Sequence, residues 1–462
     1  MTRATRTPHS LLIQDIHTLV LMDARNTVLG GGFVYAEGGE IKMVGTRPPP
    51  GLRPERTLKA PCAVAVPGLI NTHHHLFQTL TRACAVSADV ELFDWLRALY
   101  PLWARLDEEA VYLAAVIGMA ELMLSGCTTT ADHHYLFPRG QTRLIDAQIE
   151  AAREIGIRFH PTRGSMSVGQ SAGGLPPASV VQSEDTILAD SERLIRKYHD
   201  PAPGSMLRIA LAPCSPFSVS PELMRQTADL ARRRQVRLHT HLAETRYEEN
   251  YCLERFGQRP LDLLSDAGWL GGDTWLAHGI YFNRREVARL GRAGVGIAHC
   301  PSSNMRLGSG VAPVLRLRRA GCPVGLGVDG SASNDSSHML AEARQALLLN
   351  RLAHGAAALN VREALRMATV EGARCLGRDD IGTLETGQRA DIALFDLRDV
   401  GYSGAEDALS ALLLCAPGRV DTLVVEGRVV VEDHEIRTLS LAPVLIRHRR
   451  AAARIVGSKP LL

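Results

Sequence analysis

Disulfide chemistry is the first thing this chain lacks. Its nine cysteines, Cys62, Cys84, Cys127, Cys214, Cys252, Cys300, Cys322, Cys375 and Cys415, are odd in number, scattered and never spaced C-x-x-C. A disulfide framework is therefore excluded, and reduced thiols in a cytoplasmic setting are expected. Long apolar runs are also missing. The most apolar helical stretch, residues 113–124, is broken by Gly118 and Glu121 and falls far short of the roughly 20 residues that cross a bilayer. Residues 1–10 are polar and contain arginine, with no apolar h-region and small-residue cleavage site behind them, so no secretory leader is expected. Charge of one sign is absent as well. With 52 Lys plus Arg against 49 Asp plus Glu, the net charge is +3, too weak for a nucleic-acid or membrane-surface partner. Lysine itself is scarce, with Lys42, Lys59, Lys197 and Lys459 the whole supply.

What is present is enough apolar side chain for a sizeable core. The chain has 462 residues, of which 45% are hydrophobic and 22% charged, which is not the composition of a disordered protein. The two ends share a texture that the middle does not have. Residues 11–45 break the apolar runs LLIQDIHTLVLMD and VLGGGFVYAEGGEIKMVG with Gly-Gly turns. Residues 382–436 repeat the pattern in ADIALFDL and VDTLVVEGRVVVEDHEI, where Glu426-Gly427 reads as a hairpin turn. Neither meander has enough strands to bury a face alone, so residues 1–63 and 380–440 are expected to build one small composite β-sandwich. Between them, AVAVPGLINT, CTTTADH, IRFHPTRG, LRIALAPC, VRLHTHLAE, TWLAHG, VGIAHCPSS and PVGLGVDG alternate with amphipathic stretches such as 184–198 and 221–234. Eight near-continuous apolar strands separated by helices predict an α/β fold, a parallel (β/α)8 TIM-type barrel over residues 64–379. Residues 441–462 form a C-terminal tail, in which 441–457 reads as an amphipathic helix with a solvated basic face.

Barrels of this kind carry their chemistry at the C-terminal ends of the strands, where the loops converge, and the polar residues of these runs lie there. His73 and His75 end the first run in NTHHHL. Alternate residues of an extended segment point the same way, so both imidazoles face one site and His74 faces elsewhere. His241 and Glu244 end the fifth run, His278 the sixth and Asp329 the eighth. Taken singly, His133, His134, His160 and His299 read as structural, but so many ionisable groups at one end of apolar strands mark a site. His73, His75, His241 and Asp329 offer three nitrogens and one hard oxygen, a set that suits Zn²⁺ or Fe²⁺ with a position left for water; Ca²⁺ wants more oxygens. No lysine ends a central strand, so a carbamylated lysine bridging two ions is excluded and a single ion is expected. Of two long loops, 76–106 carries Gln78, Arg82, Trp95, Tyr100 and Trp103 and is expected to wall a pocket, and the Gly/Ser-rich 164–177 is expected to move.

The runs PGLINTHHH, HTHLAE, LAHG, PSSNMRLGSG, GLGVDGSASND and ADIALFD together resemble the amidohydrolase superfamily over nearly the whole chain, in particular its cytosine/guanine deaminase and triazine hydrolase branch. The resemblance implies a metal-dependent barrel with a small β-sandwich and metal ligands at His73, His75, His241 and Asp329. It also implies a proton shuttle at Glu244 and an oxygen-polarising histidine at His278, with Asp329 placed to take a proton from the attacking water. NTHHHLFQTLTRA, TTTADHHYLFP, LAPCSPFSVSPE and WLAHGIYFN are most similar to the deaminases of 8-oxoguanine within that branch. That implies hydrolysis of this purine to urate and ammonia, with guanine, isoxanthopterin and hydroxyatrazine-type amino-triazines as alternative substrates. Asp329 favours deamination, because dechlorinating triazine relatives can carry a non-ionisable residue there.

Substrate contacts are expected from seven candidate side chains of the loops and strand ends. Gln78 and Arg82 are candidates to read ring carbonyls, Arg82 being equally able to pair with a surface carboxylate. Trp95, Tyr100 or Trp103 would cover the flat face of the ring, and Cys214 and Ser331 would line the pocket. Cys214 is not a ligand of the other zinc deaminase fold, since Ser215-Pro216-Phe217 follows where P-C-x-x-C requires a second cysteine. A non-catalytic scaffold of the same fold is the remote alternative, and it would be expected to have lost ligands that are all present. The expected partner is a small purine-like heterocycle, with neither nucleic acid nor membrane, and a homo-oligomer is left open.

Overall fold

The computed structural model describes residues 9–415 and 418–458; most of the polar start of the chain, the end of the tail and Lys459 lie outside the described residues. Eight parallel strands close into a barrel. In chain order they are barrel strands 1 (Leu69–Asn71), 2 (Cys127–His134), 3 (Arg158–Ser165), 4 (Ala210–Pro213), 5 (Arg237–Leu242), 6 (Thr274–His278), 7 (Gly296–His299) and 8 (Val324–Leu326). Each pairs with the next, and strand 8 returns to strand 1 through Leu326 and Asn71. The eight apolar runs thus become the eight staves. The helices Glu184–Tyr198 and Pro221–Arg234 follow strands 3 and 4, and Ser183 and Ser220 cap them by accepting the Thr186 and Leu223 N–H groups. Each such cap contributes about 1 kcal/mol. Ile70, Ala131, Ala210, Trp275 and Ala298 fill the barrel, and Cys375, Leu376 and Ile381 pack against them.

Both chain ends meet in one nine-stranded sheet. Ser10–Val20 pairs with Val28–Glu37 on one side and Ala63–Pro67 on the other; Ile392–Asp396, Thr422–Val425, Arg428–Glu432 and Glu435–Ile436 continue the order. Its two halves share one apolar cluster, in which Val34 and Ile41 lie with Ile392 and Val424, so the sandwich expected from the sequence is a single sheet enclosing its own core. The Glu426-Gly427 hairpin forms with φ of 51° and 74°, the left-handed pair of a type I′ turn. The run AVAVPGLINT is divided. Ala63–Pro67 lies in the terminal sheet and only Leu69–Asn71 enters the barrel, so the expected boundary at 63/64 falls one strand early. Both pieces are fully buried and equally apolar, which hides the change of partner. Gly68 makes the break, because a Cβ there would stand 2.2 Å from Thr128 Oγ1 of strand 2.

Two contacts tie these parts to the site. Arg158, at the start of strand 3, donates to Asp391 at 3.1 Å and to Glu426 at 2.6 Å, clamping the terminal sheet to the barrel. The tail helix Leu441–Val456 packs on the helix Glu108–Leu124 and on the turn Leu76–Thr81, with His448 Nε2 3.1 Å from Thr79 Oγ1. Among the described residues no helix is long and apolar enough to cross a membrane.

Candidate metal and active site

Strands 1 and 8 do not stop at the barrel rim. Beyond it, His74–His75 pairs in parallel with Asp329–Gly330, and Asp329 N donates to the His73 carbonyl at 3.1 Å. The alternation of an extended chain turns His73 and His75 inward, and His74 away to Ser337 Oγ at 3.0 Å. Asp132 Oδ1 fixes the next residue by accepting Leu76 N at 2.6 Å. Three mouth residues hold left-handed backbones: Ala243 (φ 55°), His278 (φ 69°) and Asp329 (φ 61°). Each costs about 1–3 kcal/mol, a strain that collects at functional sites. Glu248 supports the first by accepting the Ala243 and Glu244 N–H groups at 2.9 and 3.0 Å.

The hydrogen-bond partners assign the histidine tautomers. His75 Nδ1 lies 2.7 Å from the His133 carbonyl and His241 Nδ1 2.7 Å from the Cys214 carbonyl. A carbonyl only accepts, so both Nδ1 atoms carry the proton. His239 Nδ1 likewise donates to the Trp275 carbonyl at 2.8 Å, which leaves its Nε2 to accept from His73 Nδ1 at 2.8 Å. All three inner imidazoles therefore turn an Nε2 lone pair to one point. His75 and His241 Nε2 are 3.1 Å apart, and Asp329 Oδ1 stands 3.4 and 3.3 Å from Nε2 of His73 and His75. His73 Nε2 is buried without a hydrogen-bond partner.

Lone pairs and a carboxylate pressed together repel unless a cation or protons lie among them. Burial drives protons away, lowering the pKa of His73, taking that of His75 to about 3, and holding that of His241 well below the ordinary imidazole value. Burial alone would raise the Asp329 pKa, but His73, His278 and His75 hold it well below the usual carboxylate range. Convergent neutral nitrogens, an ionised carboxylate and proton-bearing outer nitrogens fixed by acceptors are the donor set of a divalent transition metal. The residues fit such an ion.

Beside this cluster stand Glu244 and His278. Glu244 Oε2 is 3.5 Å and Asp329 Oδ2 3.9 Å from His278 Nε2. His278 Nδ1–H donates to Asn304 Oδ1 at 3.0 Å, which aims Nε2 at the carboxylates. Burial pushes the Glu244 pKa up to about 7, with His278 opposing and Asp329 adding. Burial would lower His278, but the Glu244 and Asp329 carboxylates outweigh it and raise the imidazole above its ordinary value.

The cluster opens into a pocket of 410 Å³, counted out to its mouth, whose lining includes Gln78, Trp95, Tyr100 and Cys214. Gln78 Oε1 accepts Ala332 N at 3.3 Å, which leaves the amide NH₂ for the pocket. Gly330 makes room for it, since a Cβ there would sit 1.8 Å from Gln78 Oε1. Burial pushes the Cys214 thiol up to about 12, so it stays neutral. Three expected contacts are not brought to the pocket. Arg82 is drawn to Glu121 at 2.5 Å and does not line the pocket. Trp103 is wholly buried between Phe77, Trp95 and Tyr100, its Nε1 donating to Thr81 Oγ1 at 3.1 Å. Ser331 is fully buried outside the lining, 3.3 Å from Ser337 Oγ, and Ser333 lines the pocket in its place. Tyr135, Phe217 and Leu307 also line it without having been singled out in the sequence. The 164–177 loop stands outside, bonded by Ser167 and Val168 N to the Ser218 carbonyl. His133, read as structural, stacks on His241 at 4.6 Å and bonds Ala212 O through Nε2.

Comparison with known proteins adds a family to this geometry. Residues 64–430 match the model of the amidohydrolase family. The chain is 53% identical to the 8-oxoguanine deaminase of Pseudomonas aeruginosa, over 95% of this chain and 98% of that protein. It is 39% identical to the hydroxydechloroatrazine ethylaminohydrolase of Pseudomonas sp. strain ADP, over 98% and 97%. Among solved structures, an atrazine chlorohydrolase from Arthrobacter aurescens TC1 complexed with zinc superposes with a TM-score of 0.92 at 34% identity, over 96% of this chain and 100% of that one.

Proposed function

The chain belongs to the amidohydrolase family, and from that membership we propose that it is a metal-dependent hydrolytic deaminase converting 8-oxoguanine and water to urate and ammonia. The observation that carries the reading is the convergence of three Nε2 lone pairs and the Asp329 carboxylate beside a buried carboxyl, Glu244, whose pKa is about 7. Similarity to an 8-oxoguanine deaminase at 53% identity supports the substrate. So does the pocket, where Trp95, Tyr100, Tyr135 and Phe217 offer flat or edge-on contacts to a ring and Gln78 and Ser333 offer hydrogen bonds at its floor.

His73, His75, His241 and Asp329 would hold one divalent ion, most simply Zn²⁺. When bound, that ion supplies the positive charge that lowers the pKa of water and opposes negative charge developing on oxygen. Asp329 accepts a proton from the attacking water through the oxygen that faces His278. His278 donates its Nδ1–H to Asn304 Oδ1, and the neighbouring carboxylates, by raising its pKa, favour a second proton on Nε2 that can hydrogen-bond the oxygen of the tetrahedral carbon. Glu244, with its pKa raised to about 7, is poised at neutral pH to exchange a proton with the ring nitrogen next to the attacked carbon, a role typically worth about 10²- to 10⁴-fold. The C–O bond forms at the carbon between the two ring nitrogens. As the exocyclic C–N bond breaks, the departing amine receives, through Glu244, the proton that Asp329 took from water and leaves as ammonia, while the hydroxyl proton of the tetrahedral carbon restores the Glu244 acid and a carbonyl remains.

The test is ammonia release by the zinc-loaded protein from 8-oxoguanine, guanine, isoxanthopterin and a hydroxyatrazine-type triazine. The highest kcat/KM is expected for 8-oxoguanine, and Glu244→Gln should lower kcat at least about 100-fold with zinc content unchanged. A higher kcat/KM for another member of the panel rejects the substrate, and no ammonia from any of them rejects the class.

A further inference from the structure

The barrel end opposite the mouth holds a second cavity, of 840 Å³ counted out to solvent and bounded by His160, His199, Arg208, Arg232, Arg237 and Asp273. Its charge is unbalanced. Elsewhere, arginines withdrawn from solvent are matched by carboxylates: Arg158 by Asp391 and Glu426, Arg163 by Asp190, Arg318 by Glu371, and Arg378 by Asp380. Among the described residues Arg208 and Arg237 have no ion-pair partner. Arg208 is held by neutral carbonyls, Gly377 O and Pro201 O at 3.0 Å each, and Arg237 by Cys375 O at 2.9 Å and the face of Trp275 at 5.8 Å. The carboxylate at the rim, Asp273, is engaged by Arg232 at 3.3 Å.

Unused hydrogen-bonding capacity accompanies the unmatched charge. Arg237 Nε is buried with no partner, and so is Nε2 of His160, a residue only 4% exposed. A half-buried guanidinium without a counter-charge is destabilising, and a buried polar group left unpaired adds to that. The rigid fork of arginine matches the oxygens of a phosphate group. We propose that this cavity binds a phosphate-type dianion, held by Arg208 and Arg237 with a hydrogen bond from His160, either free or as the phosphate group of a nucleotide. The site is separate from the catalytic mouth and independent of the substrate assigned there.

Isothermal titration of the full-length, zinc-loaded protein with inorganic phosphate, pyrophosphate and guanosine monophosphate tests this, at ionic strength held constant with chloride. Saturable binding at one site per chain is expected, accompanied by a rise in Tm and weakened at least about tenfold by Arg208→Gln and by Arg237→Gln. Tighter binding of the nucleotide than of inorganic phosphate marks an ester as the natural ligand, and equal or weaker binding marks the free ion. No saturable heat or Tm change in the wild-type protein beyond the chloride control overturns the proposal, whatever the variants do. Undiminished affinity in the folded Arg208→Gln protein overturns it equally, by moving the ion elsewhere.

Discussion

His73 is the inner histidine whose outer proton is received by a side chain; His75 and His241 give theirs to backbone carbonyls that no substitution removes. His239→Leu therefore isolates one support of the proposed metal site. It leaves the buried His73 Nδ1–H without an acceptor, an omission worth about 1–3 kcal/mol, and frees the imidazole to place its proton on the inner nitrogen. Outer-sphere substitutions of this kind typically cost about 10- to 100-fold in metal affinity, which at about 1.4 kcal/mol per tenfold is about 1.4–2.8 kcal/mol. The two routes to the magnitude agree. His239→Gln keeps an amide oxygen able to accept the proton and should lose less. Because His239 also stacks on Trp275 at 4.3 Å, the leucine variant will lose some stability without metal, so the readout is zinc affinity and not Tm. Competition against a chromophoric chelator, on protein shown to be folded by circular dichroism, measures it. A zinc affinity for folded His239→Leu within about twofold of wild type would refute the reasoning, as would a glutamine variant no better than leucine.

Arg158→Met should destabilise the protein by about 3–5 kcal/mol in urea unfolding, because it strands the Asp391 carboxylate between barrel and terminal sheet; a change under about 1 kcal/mol would show the clamp to be dispensable. Burial pushes the Asp132 pKa up to about 7, above its unfolded value, so its contribution to stability is complete at acid pH and is lost as pH rises through about 7. Asp132→Asn can still accept Leu76 N, and Gln148 Oε1, which has no partner, can turn to face the new amide. The variant should thus gain stability over wild type at pH 8.5, by at most about 4 kcal/mol, and gain least at pH 5. A stability difference between the two proteins that does not grow with pH would contradict this.

The sequence shows the barrel because each stave is a short apolar run with its polar residue at one end, and the period-two spacing of His73 and His75 separates them from His74 without any structure. Contacts made through space left less trace. Asn304 orients His278 from 26 residues away, and Glu248 reaches back to brace Glu244; PSSN after strand 7 and the doubled glutamates after HTHLAE carry that signal only once the strand ends are known to meet. Which loop residues line the pocket depends on competing partners. Arg82 and Ser331 have the right chemistry and nearly the right place, but Glu121 and Ser337 claim them first. Trp103 sits on the inner face of its helix, where packing and not recognition uses the ring.

The central claim is one catalytic cation gripped by four groups from strands 1, 5 and 8. A crystal of the zinc-loaded, active protein, measured at the zinc absorption edge, tests it most directly. One anomalous peak per chain is predicted, enclosed by Nε2 of His73, His75 and His241 and the Asp329 carboxylate. Two peaks at the mouth, or a single peak away from these atoms in protein that releases ammonia, would contradict it.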